Sequence, residues 1–149
     1  MCRQCEIKPV YELTNKRKFC EKCFCRLFEK RVFHTVRKYS LLDNAKKIYV
    51  LCTNVKGNIL FNLLKKAGKE RGIEELKIKK LRATKTKEKI ALENNLDDEA
   101  VLIVDSIISK KPDFSLLGPE TIIQTKKTIA ICIKPLYFCL DREINLYAK

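Results

Sequence analysis

The stretch KKIYVLCTNVKGNILFNLL, residues 46–64, opens the part of the chain that decides its fold. Residues 48–52 form a short apolar run typical of a buried strand, and residues 59–64 begin an amphipathic helix that extends to Gly72. The alternation continues, and it predicts an α/β fold with a parallel, doubly wound sheet. Further strands are expected at residues 76–81, 89–92, 121–123 and 128–133, and helices at residues 94–108 and 140–148, with a loop at residues 112–119.

Before this unit the chain carries two CxxC pairs in the pattern C-x2-C-x14-C-x2-C, formed by Cys2, Cys5, Cys20 and Cys23. Two pairs at this separation converge four thiolates on one tetrahedral metal ion. Residues 6–19 between them are long enough for a short hairpin. We predict a zinc finger with a structural Zn²⁺, and an iron–sulfur cluster or a redox pair are the alternatives.

The remaining cysteines argue against a disulfide framework. No apolar signal segment stands at the N-terminus, and disulfides need an oxidising compartment, so a cytoplasmic location is expected. The other cysteines lie in apolar or helical surroundings and are predicted to be core residues: Cys25, Cys52, Cys132 and Cys139.

Charge points to a polyanionic partner. The formal net charge is +14, and residues 1–39 hold eleven basic and four acidic side chains. A lysine-rich surface without function is the simpler interpretation, but the local density argues against it. No lipidation motif or strongly apolar moment accompanies the charge, which favours nucleic acid over a membrane as the partner, and no apolar run is long enough to span a bilayer. The candidate RNA-binding residues are Lys16, Arg17, Lys18, Arg26, Lys30, Arg31, Arg37 and Lys38.

The segment after the second CxxC pair reads as a helix with two faces. Apolar residues at spacings of three and four predict packing on the metal module, and basic residues occupy the other face. His34 lies among the basic residues and is expected to be solvated. We predict two modules, a zinc finger with its basic helix at residues 1–40 and an α/β domain at residues 41–149, with a hinge at residues 40–47. The apolar residues of the helix are Phe24, Leu27, Phe28, Val32, Val36 and Tyr39.

Three segments together resemble the tRNA 2-thiolation proteins, a family of PP-loop ATPases. FCEKCFCRLFEKRVFHTVRKYSLL (residues 19–42) looks like the family's N-terminal zinc finger and helix. KIALENNLDDEA (residues 89–100) is similar to the family's nucleotide-pocket motif KIATGHNLDDEA, and IKPLYFCLDREINLYAK (residues 133–149) resembles its KPL segment and E-x-x-x-YA helix. The resemblance implies a Rossmann-like PP-loop sheet, here in a truncated form.

The chain departs from the family where ATP would be activated. Family members carry a Ser-Gly-Gly-x-Asp-Ser loop after the first strand, whose backbone N–H groups wrap a pyrophosphate. Here Val55 stands in that loop, both motif glycines are gone, and Glu93 adds a carboxylate that would repel a nucleotide. Residues 72–89 contain no cysteine, so the family's mid-domain CxxC pair is missing as well. The resemblance leaves a degenerate nucleotide pocket, consisting of Thr53, Asn54, Lys56, Gly57, Asn58, Asn95, Asp97 and Asp98.

Active eukaryotic members of this family work with a paralogue whose PP-loop is degenerate. The resemblance therefore implies a non-catalytic accessory subunit, a pseudoenzyme, for 2-thiolation of the tRNA wobble uridine. Its expected partners are tRNA and a catalytic PP-loop subunit in a heterodimer, with a ubiquitin-like sulfur carrier as a further candidate. The alternatives are a residual ATP-binding thiolase that uses Lys56 and Asp97/Asp98, or a zinc-ribbon RNA-binding scaffold.

Overall fold

The computed structural model describes residues 1–13, 15–45, 47–52, 54–70, 77–81, 89–111, 114–124 and 129–149. Parts of several predictions lie outside the described residues: Thr53 of the nucleotide pocket, the helix end at 71–72, Leu76 and Thr128 at strand starts, and residues 112–113 of the loop. Within the described ranges, no helix has both the length and the apolar character needed to cross a membrane.

Strands and helices alternate along the chain much as the apolar pattern predicts. In chain order the elements are β1 (Tyr11–Glu12), β2 (Lys18–Phe19), α1 (Glu21–Lys38), β3 (Lys47–Leu51), α2 (Val55–Glu70), β4 (Lys77–Leu81), β5 (Lys89–Ala91), α3 (Leu96–Ile108), β6 (Glu120–Gln124), β7 (Ile129–Ile133) and α4 (Asp141–Tyr147).

The large sheet has the strand order β4-β3-β5-β7-β6. The first four strands in this order are parallel to their neighbours, which confirms the predicted α/β fold with a parallel sheet. The edge strand β6 runs antiparallel to β7, and the sequence pattern did not indicate this. From β3 the chain crosses to β4 on one side, whereas from β5 it continues to β7 on the other. The direction in which successive strands are added thus reverses between β3 and β5. In open α/β sheets, ligands bind at such a point, beside the carboxyl ends of the strands.

A single hydrophobic cluster connects the cysteine-rich end with the sheet. Phe24 and Phe28 of α1 are buried in it, and so are Ile48 of β3 and Leu60 of α2. The segment predicted as a hinge contributes Leu41 and Leu42, which are also fully buried. The described residues therefore pack around a continuous core, and the division of the chain at residue 40 stays a prediction.

Polar contacts tie α1 to the two helices beside it. Arg31 Nη1 donates to Glu143 Oε2 on α4 at 2.5 Å. Glu29 Oε1 accepts a hydrogen bond from Tyr147 of α4 and another from Lys66 of α2, each at 2.6 Å. Arg31 is thus engaged inside the fold, although the sequence placed it among the residues for RNA.

The helix α3 has an unusual orientation, because its one buried side chain is the carboxylate of Glu99. Glu99 Oε1 lies 2.6 Å from Lys134 Nζ, and both side chains are almost completely buried. Lys134 also donates to the carbonyl oxygen of Leu116. The large apolar side chains of α3 face outward, and Ile107 and Ile108 are 62% and 73% exposed.

Replacing Glu99 by alanine should destabilise the protein by about 3–5 kcal/mol, because the Lys134 ammonium would then be buried without its counter-ion. The free energy of unfolding is measured by urea denaturation. Asp105→Ala removes a carboxylate from the exposed side of the same helix and serves as the control. Equal stability of the two variants would show that the Glu99–Lys134 pair does not anchor α3.

Candidate functional site

The four predicted metal ligands lie together at the start of the chain. The Sγ atoms of Cys2, Cys5, Cys20 and Cys23 all lie within 4.8 Å of one another. Cys5 Sγ is 3.4 Å from both Cys20 Sγ and Cys23 Sγ. A tetrahedral site with Zn–S bonds of about 2.3 Å needs sulfur atoms roughly 3.8 Å apart, so the cluster has the size of such a site.

Local structure explains why the thiols converge. The hairpin of β1 and β2 is antiparallel, and it brings the chain back so that Arg3 N donates to the Lys18 carbonyl oxygen at 3.0 Å. The second CxxC pair lies at the start of α1, with Cys20 as the N-cap residue and Cys23 in the first turn, and Phe24 N bonds to the Cys20 carbonyl oxygen. The Tyr11 and Phe24 rings, 5.0 Å apart, pack the hairpin against α1.

The thiols of Cys2 and Cys23 differ in proton affinity because they hydrogen-bond to different partners. Burial raises the pKa of Cys2, but hydrogen bonds from the backbone of Cys20 and Gln4 outweigh it and lower the pKa to about 6. Hydrogen bonds with the Cys5 and Cys20 thiols raise the pKa of Cys23 to about 12. The cluster therefore holds a negative charge and thiol protons side by side, and a divalent cation would displace those protons. The set of four sulfur ligands is compatible with zinc and with an iron–sulfur cluster.

The remaining cysteines lie apart from this cluster. Cys132 and Cys139 are buried, and burial raises the pKa of Cys139 to about 12, as expected for inert core thiols. Cys25 and Cys52 are half-buried. The Cys52 thiol donates to the Gly57 carbonyl oxygen at 3.3 Å.

Most of the predicted RNA-binding side chains are exposed on the hairpin turn and on α1. Lys18 forms a long, exposed ion pair with Glu12 at 3.6 Å, and Lys38 lies over the Tyr39 ring. His34 is exposed among them, as predicted. Arg31 is the exception because of its contact with Glu143. The exposed members are Lys16, Arg17, Lys18, Arg26, Lys30, Arg37 and Lys38.

The predicted nucleotide-pocket residues that the structure describes, from Asn54 to Asn58 and from Asn95 to Asp98, follow the carboxyl ends of β3 and β5, next to the point where the strand order reverses. Asn54 precedes α2, and its Oδ1 accepts a hydrogen bond from Gly57 N at 3.2 Å. Gly57 packs so tightly that an added Cβ would lie 2.7 Å from the Leu51 carbonyl oxygen. Glycine is therefore required here for helix–strand packing. Asn58 is exposed on the first turn of α2.

Lys56 reaches from α2 to the starts of two other helices. Its Nζ is 2.6 Å from Asp141 Oδ1 on α4 and 3.3 Å from Asp98 Oδ2 on α3. Burial alone would lower the pKa of Lys56, but these two carboxylates raise it. The hydrogen bond from Lys56 in turn lowers the pKa of Asp141, against the effect of burial.

Asn95, which is fully buried, joins the same network. It caps α3 by accepting from Asp98 N at 3.0 Å, and its Nδ2 donates to Asp141 Oδ1 at 2.7 Å. Asp97 Oδ2 accepts from Asp141 N at 2.6 Å. Asp141 was not among the pocket residues predicted from the sequence. Its position could have indicated it, because Asp141 begins the helix that follows β7 and therefore lies at the same carboxyl edge of the sheet.

Comparison with known proteins finds similarity in structure but not in sequence. No protein-family model matches the chain, and no curated protein is significantly similar to it. Solved structures do match, and one is described as the U34-tRNA thiolase NcsA from Methanococcus maripaludis with its 4Fe-4S cluster. That similarity has a TM-score of 0.69 at 18% sequence identity and covers 99% of this chain and 70% of NcsA. At this identity the comparison establishes a shared fold.

Metal removal should unfold the N-terminal module first, since the free energy of binding a structural metal is part of the folding free energy of such a module. Elemental analysis is expected to find one zinc ion per chain, and Cys20→Ser should expose the backbone amides of residues 1–39 to hydrogen exchange. Cys25→Ser, two residues beyond the cluster, is the matched control and should keep the metal. Protected amides in a metal-free preparation would contradict this prediction.

Proposed function

We propose that this chain is a non-catalytic subunit for 2-thiolation of the tRNA wobble uridine, which binds tRNA and pairs with a catalytic PP-loop subunit. The observation that carries the proposal is a fold shared with a U34-tRNA thiolase, combined with a pocket that lacks the glycine loop for a pyrophosphate. The structural similarity to a tRNA thiolase supports a role in tRNA thiolation. The altered pocket supports the accessory role.

The pocket geometry argues against adenylation by the isolated chain. The N–H of Gly57, in the first turn of α2, already bonds to the Asn54 side chain. Lys56, the one motif residue that could reach a phosphate, is paired with Asp98 and Asp141. Each donor lost at a transition state costs about 3 kcal/mol, or a hundredfold in rate. Two such losses would leave no useful turnover.

The outer face of α1 is suited to a phosphate backbone. Arg26, Lys30 and Arg37 lie on the exposed side of the helix, with His34 between them. Like charges spaced four residues apart destabilise a helix. We infer that tRNA phosphates provide the compensating charge, and that the thiol cluster and the Phe24 packing hold this helix in place.

The apolar outer face of α3 is suited to a protein partner. Val101, Val104, Ile107 and Ile108 are each more than half exposed. Contiguous exposed apolar surface on a folded chain marks an interaction site. We propose that the catalytic subunit, a chain of the same fold, covers this face in a heterodimer. A ubiquitin-like sulfur carrier stays a further candidate partner of that assembly.

Salt dependence of tRNA binding tests the basic face. Arg26→Ala combined with Lys30→Ala should reduce the slope of log affinity against log salt by about 1.4–1.8, since each phosphate contact contributes about 0.7–0.9. Fluorescence anisotropy with labelled tRNA measures this slope. Lys65→Ala with Lys69→Ala removes the same charge from exposed positions of α2 and should leave the slope nearly unchanged. An affinity that does not respond to salt would refute this surface.

Co-expression with a catalytic PP-loop subunit tests the partner face and the accessory role. Val104→Asp with Ile108→Asp should reduce capture of the complex by roughly tenfold or more, because each buried aliphatic side chain contributes about 1.5–3 kcal/mol. Ile7→Asp with Val10→Asp introduces the same charge at exposed apolar positions of the N-terminal module and serves as the control.

The same complex provides the activity assay. Wobble-uridine thiolation should require both subunits, and the isolated chain should show no tRNA adenylation. Adenylation by the chain alone would favour the residual-thiolase alternative. Binding of RNA without capture of the catalytic subunit would favour the zinc-ribbon scaffold.

A further inference from the structure

The N-terminus of α2 already has an anion beside it, and that anion belongs to the chain. Glu93 follows β5, and its Oε1 accepts a hydrogen bond from Asn54 Nδ2 at 2.6 Å. Its Oε2 is shielded from solvent and lies 3.1 Å from the position that a Cβ of Gly57 would take. The carboxylate thus faces the first turn of α2, where the positive end of the helix dipole favours negative charge.

We propose that the chain's own side chains close the cleft at the carboxyl ends of β3 and β5, where the strand order reverses. In this arrangement the Glu93 carboxylate occupies the place of a ligand's phosphate. Asn54 connects the two sides of the cleft, since its amide N–H donates to Glu93 while its Oδ1 caps Gly57 N. An incoming pyrophosphate would have to displace a carboxylate of the same sign.

The cationic half of the cleft is closed in the same way. Lys56, the cation that would meet a phosphate, lies between Asp98 and Asp141. Asn95 holds Asp141 from the other side. The Lys56 ammonium is therefore paired with carboxylates of the chain itself, so a pyrophosphate would have to compete with them for it.

Inorganic pyrophosphate tests the closed cleft in the full chain. Calorimetry at physiological salt should detect at most weak binding by the wild type, whereas Glu93→Ala should bind pyrophosphate at least roughly tenfold more tightly, since a like charge at short range is removed. Glu70→Ala is the matched control, because it removes the same charge from the exposed, opposite end of α2. It should behave as the wild type does.

Two further variants separate the cleft from other effects. Adding Lys56→Ala to Glu93→Ala should abolish the gained binding, whereas pyrophosphate held by the basic face of α1 would persist in the double variant. If Glu93→Ala fails to fold, Glu93→Gln takes its place, because it keeps the size and the Asn54 contact. The melting temperature of Glu93→Gln should be lower than that of the wild type, and added pyrophosphate should raise it again.

Pyrophosphate binding by the wild type as tight as by Glu93→Ala would overturn the proposal. So would a folded Glu93→Ala or Glu93→Gln that shows no response to pyrophosphate. The measurement involves neither tRNA nor the catalytic subunit, so a closed cleft and the accessory role in thiolation can fail independently of each other.

Discussion

Lys56 is the charge around which the carboxyl edge of the sheet is organised. Its ammonium group lies 2.6 Å from Asp141 and 3.3 Å from Asp98, and it thereby joins the starts of α2, α3 and α4. Each of these helices directs the positive end of its dipole toward the same edge, which is why carboxylates are favourable there. The carboxylates need a cation among them, because like charges this close would otherwise repel. At this edge, where open α/β sheets commonly bind ligands, side chains of the chain itself connect the starts of the three helices.

The orientation of α3 follows from this constraint. Polar groups connect α3 to the rest of the fold. They are the Asn95 cap, the contact of Asp98 with Lys56 on α2, and the buried pair of Glu99 with Lys134 after β7. Burying such a pair removes two charges from water, and well-packed apolar side chains of similar volume often give equal or greater stability. Glu99 Oε2 is buried without a hydrogen-bond partner among the described residues, which adds to the cost. A helix that turns its carboxylate inward and its isoleucines outward leaves apolar surface in contact with water, which costs stability as long as that face is uncovered.

The sequence predicted the features that depend on local pattern. Cysteine spacing located the thiol cluster, and alternating apolar runs located the strands and helices of a parallel sheet. Features that depend on distant partners were not predictable in this way. The basic residues near Arg31 in the sequence predict that it is a surface cation, but it pairs with Glu143, which lies 112 positions later. The direction of β6 was missed because an apolar run encodes a strand but not its orientation. Likewise, the periodicity of α3 defines an apolar face without saying that this face turns away from the sheet.

The helix α1 shows how the two ends of the molecule are coupled. Its first turn holds two of the four thiols, its apolar face fills the core with Phe24, Phe28 and Val32, and its polar contacts reach α2 and α4. An 18-residue helix spans roughly 27 Å at 1.5 Å per residue, so its exposed basic residues form a long stripe. The α4 contacts at Glu29 and Arg31 hold the middle of α1, and a metal at the thiols would hold its start. Loss of the metal would therefore reach the basic residues near the start of α1 before it reached the sheet.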